Sequence, residues 1–224
     1  MVQIGGRPLI DYGVIAAQAW GRFERIFCST DDSAIADHAR ALGIEAVERP
    51  RHLATDQAKI DDVGAAFLRE FPAGELPDAV VLIQPTSPFL LPEHIDDLVD
   101  TLARDPEAQS AHNFVPVSHR YHAWNQRFVG NDRRVRFLFA EERRRARNKQ
   151  EKPVLNIFGN LIMVRAEALV RGEGFYAEPI VAAPISHPYD FDLDGPGDVV
   201  LAAALLARNA VALPHLRSSG MTTK

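Results

Sequence analysis

Three groups of polar residues lie where strand-like segments of this sequence end, and each could take part in ligand chemistry. The first is Ser29-Thr30-Asp31-Asp32, which directly follows the apolar segment RIFCS. Small hydroxyls and a carboxylate suit contacts to a ribose or a base, because open α/β sheets bind ligands at the carboxyl ends of their strands. The same residues are also good helix caps, in which Asp31 or Asp32 accepts backbone N–H bonds. Both interpretations stay open from the sequence.

The second group is Gln84-Pro85-Thr86-Ser87-Pro88, at the carboxyl end of the apolar segment AVVLIQ. Two prolines restrict the backbone of this loop. Gln84, Thr86 and Ser87 then offer three polar side chains at the rim of the predicted sheet, where a substrate would bind. The alternative is a loop that only leads into the next helix.

The third group is the acidic segment Asp190-Phe191-Asp192-Leu193-Asp194. In an extended segment successive side chains alternate, so Asp192 and Asp194 would lie on the same face. Two such carboxylates can hold Mg²⁺, which needs few protein ligands when phosphates supply the rest. Alternatively, Asp194 caps a helix that begins near Pro196.

Charge is spread unevenly along the chain. Residues 133–152 hold nine basic and three acidic residues, a net charge of +6, although the whole chain carries −5. This segment is either a solvated helix or hairpin face, or a site for an anion such as a triphosphate or a sugar carboxylate. A single short cluster without interleaved aromatic residues makes a poor nucleic-acid footprint. We therefore expect no nucleic-acid partner.

The composition is that of an ordinary globular protein, with 46% hydrophobic residues in 224. No apolar run reaches the roughly 18 residues that span a bilayer, so we expect no membrane partner. The single cysteine, Cys28, excludes an internal disulfide framework and a cysteine-rich zinc site. Nothing at the amino end is typical of a signal peptide, and the expected location is the cytoplasm.

The elements that must position these groups alternate between strand and helix. Apolar patterning predicts strands at Arg25–Ser29, Ile44–Val47, Ala79–Gln84, Ser110–Val117 and Leu155–Val164, and helices at Leu9–Trp20, Asp32–Leu42, Lys59–Phe71, Pro92–Leu102 and Val199–Ala207. Such alternation predicts an α/β fold with a mostly parallel sheet that is covered on both faces. Residues 118–154 interrupt this rhythm with a hairpin-like pattern, so we interpret them as an insertion into a single domain, residues 1–224.

Several motifs in order resemble the acylneuraminate cytidylyltransferase family, the CMP-sialic acid synthetases and their relatives acting on other nine-carbon or eight-carbon acidic sugars. They are GGRPLIDY, RIFCSTDD, RP…LATD, VVLIQPTSP and FDLDGPGDVVLA, and the resemblance covers roughly residues 5–207. It implies a three-layer, Rossmann-like fold of the nucleotide-diphospho-sugar-transferase type. The insertion at 118–154 would be a dimerisation arm.

The resemblance also implies an activity: the transfer of CMP from CTP to an acidic sugar such as an N-acylneuraminate, with release of pyrophosphate, by a homodimer. Asp192 and Asp194 would be the catalytic residues and would hold Mg²⁺. Other residues match binding positions: Ser29, Asp31 and Arg49 for the nucleotide, and Gln84, Thr86, Ser87 and Arg147 for the sugar.

This sequence departs from the family pattern in three places. Family members begin with a strand and a triphosphate-binding loop of the type ARxGSKxxPxKN, and this sequence starts just after that position. The Leu-Arg that usually follows QPTSP is Phe89-Leu90. The usual RPNGAIY is NIFGNLI, so Asn156 and Ile162 stand near the expected arginine and tyrosine.

Three alternatives follow from these departures. In the first, the chain is an active cytidylyltransferase whose loop is encoded upstream of Met1. In the second, it uses a different acidic sugar, such as legionaminate, pseudaminate or an octulosonate. In the third, it is a non-catalytic relative that binds a nucleotide or only dimerises.

Overall fold

A computed structural model describes residues 1–55, 57–72, 74–146 and 148–218 of the chain. The chain divides into two compact units. The first is formed by residues 1–113 and 159–224, and the second by residues 114–158. The second unit contains the segment 118–154, which the sequence pattern predicts to be an insertion.

Strands and helices alternate through most of the chain, as predicted. The strands are β1 (Gln3–Ile4), β2 (Arg7–Pro8), β3 (Phe27–Thr30), β4 (Glu45–Glu48), β5 (Ala79–Ile83), β6 (Ser110–Pro116), β7 (Arg127–Val129), β8 (Val135–Phe137), β9 (Asn156–Arg165) and β10 (Ile180–Pro184). The helices are α1 (Leu9–Trp20), α2 (Ser33–Ala41), α3 (Ile60–Arg69), α4 (Pro92–Ala103), α5 (Ala140–Arg145), α6 (Ala166–Val170), α7 (Pro196–Ala207) and α8 (His215–Ser218).

The β-structure of the first unit is mixed. Strands β3 and β4 pair in parallel. A second sheet has the order β10-β6-β9-β5, and its β5–β9 pair is antiparallel. Strands β1 and β2 form a small antiparallel hairpin, in which Gly5 and Gly6 have φ of +54° and +79°. Such left-handed angles favour glycine, so these two residues suit the turn of the hairpin.

Helix α1 covers one face of both sheets. Its Ala16 belongs to a core with Leu98 of α4 and Leu161 of β9, and its Val14 packs with Ile44 beside β4. On the other face of β3, Phe27 makes edge contacts with aromatic rings of α3 and the turn after it. Because successive strand residues point to opposite faces, β3 lies between two helical layers.

The predicted elements differ from the observed ones mainly in the residues at which they begin and end. Helix α1 is as predicted, and it ends at Gly21, which has a φ of 71°. Helix α7 begins at Pro196, three residues before the predicted start, because Gly195 is its N-cap and proline is favoured in the first turn. Within the described residues, no helix is both long and apolar enough to cross a bilayer.

The second unit contains a hairpin, β7–β8, inside the predicted hairpin region. Its basic side chains contact neighbours within the unit. Arg143 donates to the Asn125 amide oxygen at 2.8 Å and lies over the Phe137 ring, and Arg145 forms an exposed ion pair with Glu141. Both guanidinium groups are thus engaged within the unit itself.

Candidate functional site

The segment after β3 begins helix α2. The Asp32 carboxylate accepts hydrogen bonds from the backbone N–H groups of Ala34 at 2.7 Å and Ile35 at 3.2 Å, so it is the N-cap of α2. The helix-cap interpretation is therefore correct for Asp32. Asp31 is exposed beside it, where its carboxylate faces solvent at the carboxyl end of β3.

Arg49 is bound to the end of β3 by its own side chain. Its guanidinium donates to the Ser29 carbonyl oxygen at 2.6 Å and to the Ser29 hydroxyl at 3.4 Å. The Arg49 backbone N–H donates to the Thr30 carbonyl at 2.9 Å. These contacts bring together Ser29 and Arg49, two residues predicted to contact the nucleotide, and they fix the plane of the guanidinium.

Cys28 lies next to this pair on β3. Burial raises the pKa of the Cys28 thiol, and the positive charge of Arg49 opposes that shift. The thiol is therefore held in its neutral form at neutral pH, as expected of a cysteine that packs in a core rather than one that acts as a nucleophile.

The second and third sequence groups meet in the structure. The backbone N–H of Leu193 donates to the Thr86 carbonyl at 2.9 Å. The Ser87 hydroxyl donates to the Asp192 carboxylate at 3.2 Å, although 105 residues separate them. Ser87 is only 1% exposed. The QPTSP loop therefore supports the acidic segment directly, and the Ser87 hydroxyl is directed at Asp192.

The alternation predicted for the acidic segment is observed. Asp192 and Asp194 are exposed, whereas Leu193 between them is buried. Asp194 does not cap helix α7: the carboxylate of Asp198 does, accepting from the backbone N–H groups of Asp194 at 3.0 Å and Gly195 at 2.9 Å. Asp198 was missed in the sequence, where proline in the first turn followed by an acidic residue at the third helical position is the signal for such a cap.

The donor set at this segment suits Mg²⁺. Asp192 and Asp194 offer hard carboxylate oxygens on one exposed face, and Mg²⁺ commonly takes one or two carboxylates together with substrate phosphates. Across the parts of the chain that the structure describes, no group of three or more histidine, cysteine or acidic side chains could hold a metal. Two carboxylates fill only part of the coordination sphere of Mg²⁺, and the remaining positions suit water or substrate phosphates.

The predicted site residues form two local groups, Ser29 with Arg49 and Thr86–Ser87 with Asp192. Gln84 is half-buried, and its carbonyl accepts the Ser87 N–H at 3.1 Å. Arg147 lies outside the described residues. A cavity of about 490 Å³ lies at the opposite, amino end of β5, and none of these residues lines it.

Two departures from the family pattern lie in the core of the first unit. Phe89 and Leu90, which replace the usual Leu-Arg, are completely buried. Ile162 is 4% exposed and pairs with Leu82 across β5 and β9. These positions therefore contribute packing rather than polar contacts in this chain.

Comparison with known proteins gives the family. A family model described as cytidylyltransferase matches residues 1–167. The chain is 28% identical over 215 residues to a CMP-N,N'-diacetyllegionaminic acid synthase of Legionella pneumophila, covering 94% of this chain and 90% of that protein. It is 25% identical over 211 residues to an N-acylneuraminate cytidylyltransferase of Streptococcus agalactiae, covering 89% of this chain and 47% of that longer protein.

Solved structures confirm the predicted fold class. A CMP:2-keto-3-deoxy-manno-octonic acid synthetase complexed with CTP superposes with a TM-score of 0.66 at 16% identity, covering 93% of this chain and 91% of that chain. A 4-diphosphocytidyl-2C-methyl-D-erythritol synthase of Anaerococcus prevotii gives 0.64 at 10% identity, covering 92% of each chain. Both structural similarities show the fold alone. The match to the family model shows the family. The chain belongs to the cytidylyltransferase family.

Proposed function

We propose that this protein transfers CMP from CTP to an acidic sugar of the nonulosonic type and releases pyrophosphate. The anomeric hydroxyl of the sugar attacks the α-phosphorus in line. A bond forms between that oxygen and the α-phosphorus, the bond to the bridging oxygen of the β-phosphate breaks, and the hydroxyl proton is lost. The contact of Thr86 and Ser87 with Asp192 and Leu193 is the observation that carries the proposal.

In this proposal Asp192 and Asp194 hold Mg²⁺ with the triphosphate. The metal would neutralise charge that develops on the phosphates. The chain's own contribution is to keep both carboxylates in place: Ser87 donates to Asp192, and Asp198 binds the backbone at Asp194. Fixed carboxylates lose less conformational freedom when the metal and the nucleotide bind.

We assign the base and ribose of CTP to the end of β3. Arg49 uses two of its nitrogens on Ser29, and a guanidinium carries five N–H donors. Donors therefore remain for an acceptor on the nucleotide. Asp31 offers an exposed carboxylate on the same edge, suited to a ribose hydroxyl.

The sugar is proposed to be a relative of legionaminic acid. The Legionella protein is named for a diacetyllegionaminic acid, and the chain matches nearly all of its length. Gln84 at the end of β5 and Arg147 are the proposed sugar contacts. Because Ile162 and Leu90 are buried apolar residues, the pocket lacks two polar groups that the family pattern would supply for a sialic acid.

Pyrophosphate release tests the proposal. The chain is assayed with Mg²⁺, each of the four ribonucleoside triphosphates, and a panel of acidic sugars: N-acetylneuraminate, diacetyllegionaminate, pseudaminate and a deoxyoctulosonate. A second form carries an amino-terminal segment with the ARxGSKxxPxKN pattern, so that the triphosphate-binding loop is supplied. We expect release only with CTP and fastest with a nonulosonate other than N-acetylneuraminate. No release from either form with any sugar would favour the non-catalytic alternative.

We further propose that the unit 114–158 binds a second copy of the chain. Its surface presents apolar side chains that a soluble hairpin would not retain without a partner: Tyr121, Phe128, Val129, Val135, Leu138, Val154 and Ile157 are all more than half exposed.

A cytoplasmic location also remains a prediction from the sequence.

Sedimentation velocity tests the assembly. We expect the chain to sediment as a dimer and the Phe128→Asp variant as a monomer. Val200 is 71% exposed but lies on α7, outside this unit, so Val200→Asp is the matched control and should remain dimeric. A wild-type monomer at micromolar concentration would contradict the proposal.

A further inference from the structure

Two buried asparagines join the middle of the sheet to the acidic segment. Asn113 lies on β6 and Asn160 on β9, and each is only 2% exposed. The Asn113 Nδ2 donates to the Asn160 Oδ1 at 2.8 Å. The Asn160 Nδ2 donates to the Tyr189 carbonyl at 2.8 Å, directly before Asp190. A path of side-chain hydrogen bonds therefore runs from β6 to the start of the segment that carries Asp192 and Asp194.

The direction of each amide in this path is determined by the backbone. The Asn113 Oδ1 accepts two backbone N–H groups, from Asn160 at 2.8 Å and Leu161 at 2.9 Å. An amide nitrogen cannot accept these bonds, so the Asn113 Nδ2 must point to the Asn160 Oδ1. That leaves the Asn160 Nδ2 for the Tyr189 carbonyl. Each amide is therefore fixed in a single orientation.

Gly159 on β9 leaves room for the Asn113 side chain. A Cβ at Gly159 would lie 2.7 Å from the Asn113 Oδ1 and 3.0 Å from Ile185. Only glycine allows the Asn113 side chain to reach β9 at this point. Buried polar pairs cost free energy unless every group is satisfied, and this pair gives up apolar packing in the centre of the sheet.

The segment itself is held at several points, and the Tyr189 carbonyl is the first of them. Phe191 packs its ring against Phe89 with centroids 5.2 Å apart. Leu193 donates to Thr86, and Asp198 accepts from Asp194 and Gly195. Asp192 and Asp194 point outward between these anchors, so their spacing depends on where each anchor holds the backbone.

We propose that Asn113 and Asn160 are positioning residues, which hold the Tyr189 carbonyl and thereby set the place of the Asp192 and Asp194 carboxylates. This inference rests on the proposed function, because it is those carboxylates that would hold the metal. Both asparagines are buried, and they act through the backbone of residues 189–194.

Hydrogen exchange of the intact chain, without metal or substrate, is the decisive readout. Asn160→Ala removes the donor to Tyr189. Asn160→Asp keeps the side-chain size but replaces that donor with an oxygen, so it covers the case in which the alanine variant folds poorly. We expect exchange of the amides at 189–195 to accelerate about tenfold in both variants, as the loss of a buried hydrogen bond predicts. Titration of Mg²⁺ by calorimetry should give about tenfold weaker binding.

Ser110→Ala is the matched control. Ser110 is buried on the same strand, β6, and its hydroxyl donates to the Ala177 carbonyl at 2.8 Å. It should lose stability while exchange at 189–195 and Mg²⁺ affinity stay unchanged. The proposal is overturned if the Asn160 variants exchange at 189–195 no faster than Ser110→Ala, or if they bind Mg²⁺ as tightly as the wild type. A wild type that neither binds Mg²⁺ nor releases pyrophosphate would contradict the proposed function instead, and the exchange rates would still decide the positioning.

Discussion

At the scale of single residues, the acidic segment combines exposed carboxylates with buried side chains that hold it in place. Asp192 and Asp194 face solvent, while Leu193 is buried between them. Ser87, which the sequence assigns to the sugar, is buried and donates to Asp192. A direct contact between Ser87 and the sugar stays a prediction. The hydrogen bond from Ser87 to Asp192 is itself a structural reason for a small hydroxyl side chain at this position.

Substitution of either exposed carboxylate tests its role. Asp192→Asn and Asp194→Asn should each lower the rate of pyrophosphate release about 100-fold or more, since even residues that only support a metal ligand cost 10- to 100-fold. Their melting temperatures should stay near that of the wild type because both side chains are exposed. Asp37→Asn, at an exposed surface ion pair, is the control for both measurements. Wild-type rates in both variants would remove the metal assignment.

Sequence patterns could locate the candidate residues but not their contacts. QPTSP and FDLD were recognisable as motifs, yet the bond from Ser87 to Asp192 joins residues 105 positions apart. Only the folded sheet brings them together. The Asn113–Asn160 pair gave no signal either, because the two residues lie 47 positions apart on different strands.

At the scale of elements, local signals decided which predictions are confirmed. Helix α1 has apolar spacing and a glycine at its end, and its bounds are as predicted. Helix α5 was missed because its sequence, AEERRR, has no apolar period. Strand β10 was missed since it lies in a stretch with many prolines, which obscure the alternation of a strand.

The cap of α7 gives a prediction at this scale. Asp198→Ala should lower the free energy of unfolding by about 1 kcal/mol, because two backbone N–H groups lose their acceptor. Urea denaturation measures it. The control is Asp100→Ala, whose ion pair with Arg104 is on the surface, and there the change should stay within about 0.5 kcal/mol. Equal losses in the two variants would mean that Asp198 is not the effective cap.

Buried histidines predict a pH dependence of stability. Burial lowers the pKa of His94, His112 and His215. At His215 the negative charge of Glu93 opposes this shift and the positive charge of Arg7 adds to it. Both ring nitrogens of His215 are without a hydrogen-bond partner among the described residues. The folded chain therefore protonates at lower pH than the unfolded chain, whose histidines have a pKa of about 6.5.

The free energy of unfolding should accordingly be highest above about pH 6.5 and fall as the pH drops below that value. Each buried histidine contributes a slope of up to about 1.4 kcal/mol per pH unit until its folded pKa is passed. His215→Leu should reduce this slope and stabilise the chain at pH 5.5, because an apolar side chain replaces two buried, unpaired ring nitrogens. Urea denaturation at pH 5.5 and 7.5 measures both effects, and an unchanged slope would show that His215 does not titrate with folding.

At the scale of the whole molecule, the basic segment and many of the exposed apolar side chains lie in the same unit. Residues 133–152 carry +6 in a chain of net −5, and they belong to the unit 114–158, which exposes Phe128, Val129 and Leu138 among others. The first unit contains the motifs that the sequence could identify. The fold class follows from these motifs, whereas dimerisation through the second unit stays a prediction.

The identity of the product tests the central claim most directly. The chain with the triphosphate-binding segment is incubated with CTP, Mg²⁺ and diacetyllegionaminate, and the phosphorus NMR spectrum is followed. We expect the CTP signals to decline while a phosphodiester signal from the CMP-linked sugar and a pyrophosphate signal grow together, the pyrophosphate signal with twice the area because it contains two phosphorus atoms. A spectrum in which CTP stays intact with every acidic sugar of the panel, or in which pyrophosphate appears without a phosphodiester, would contradict it.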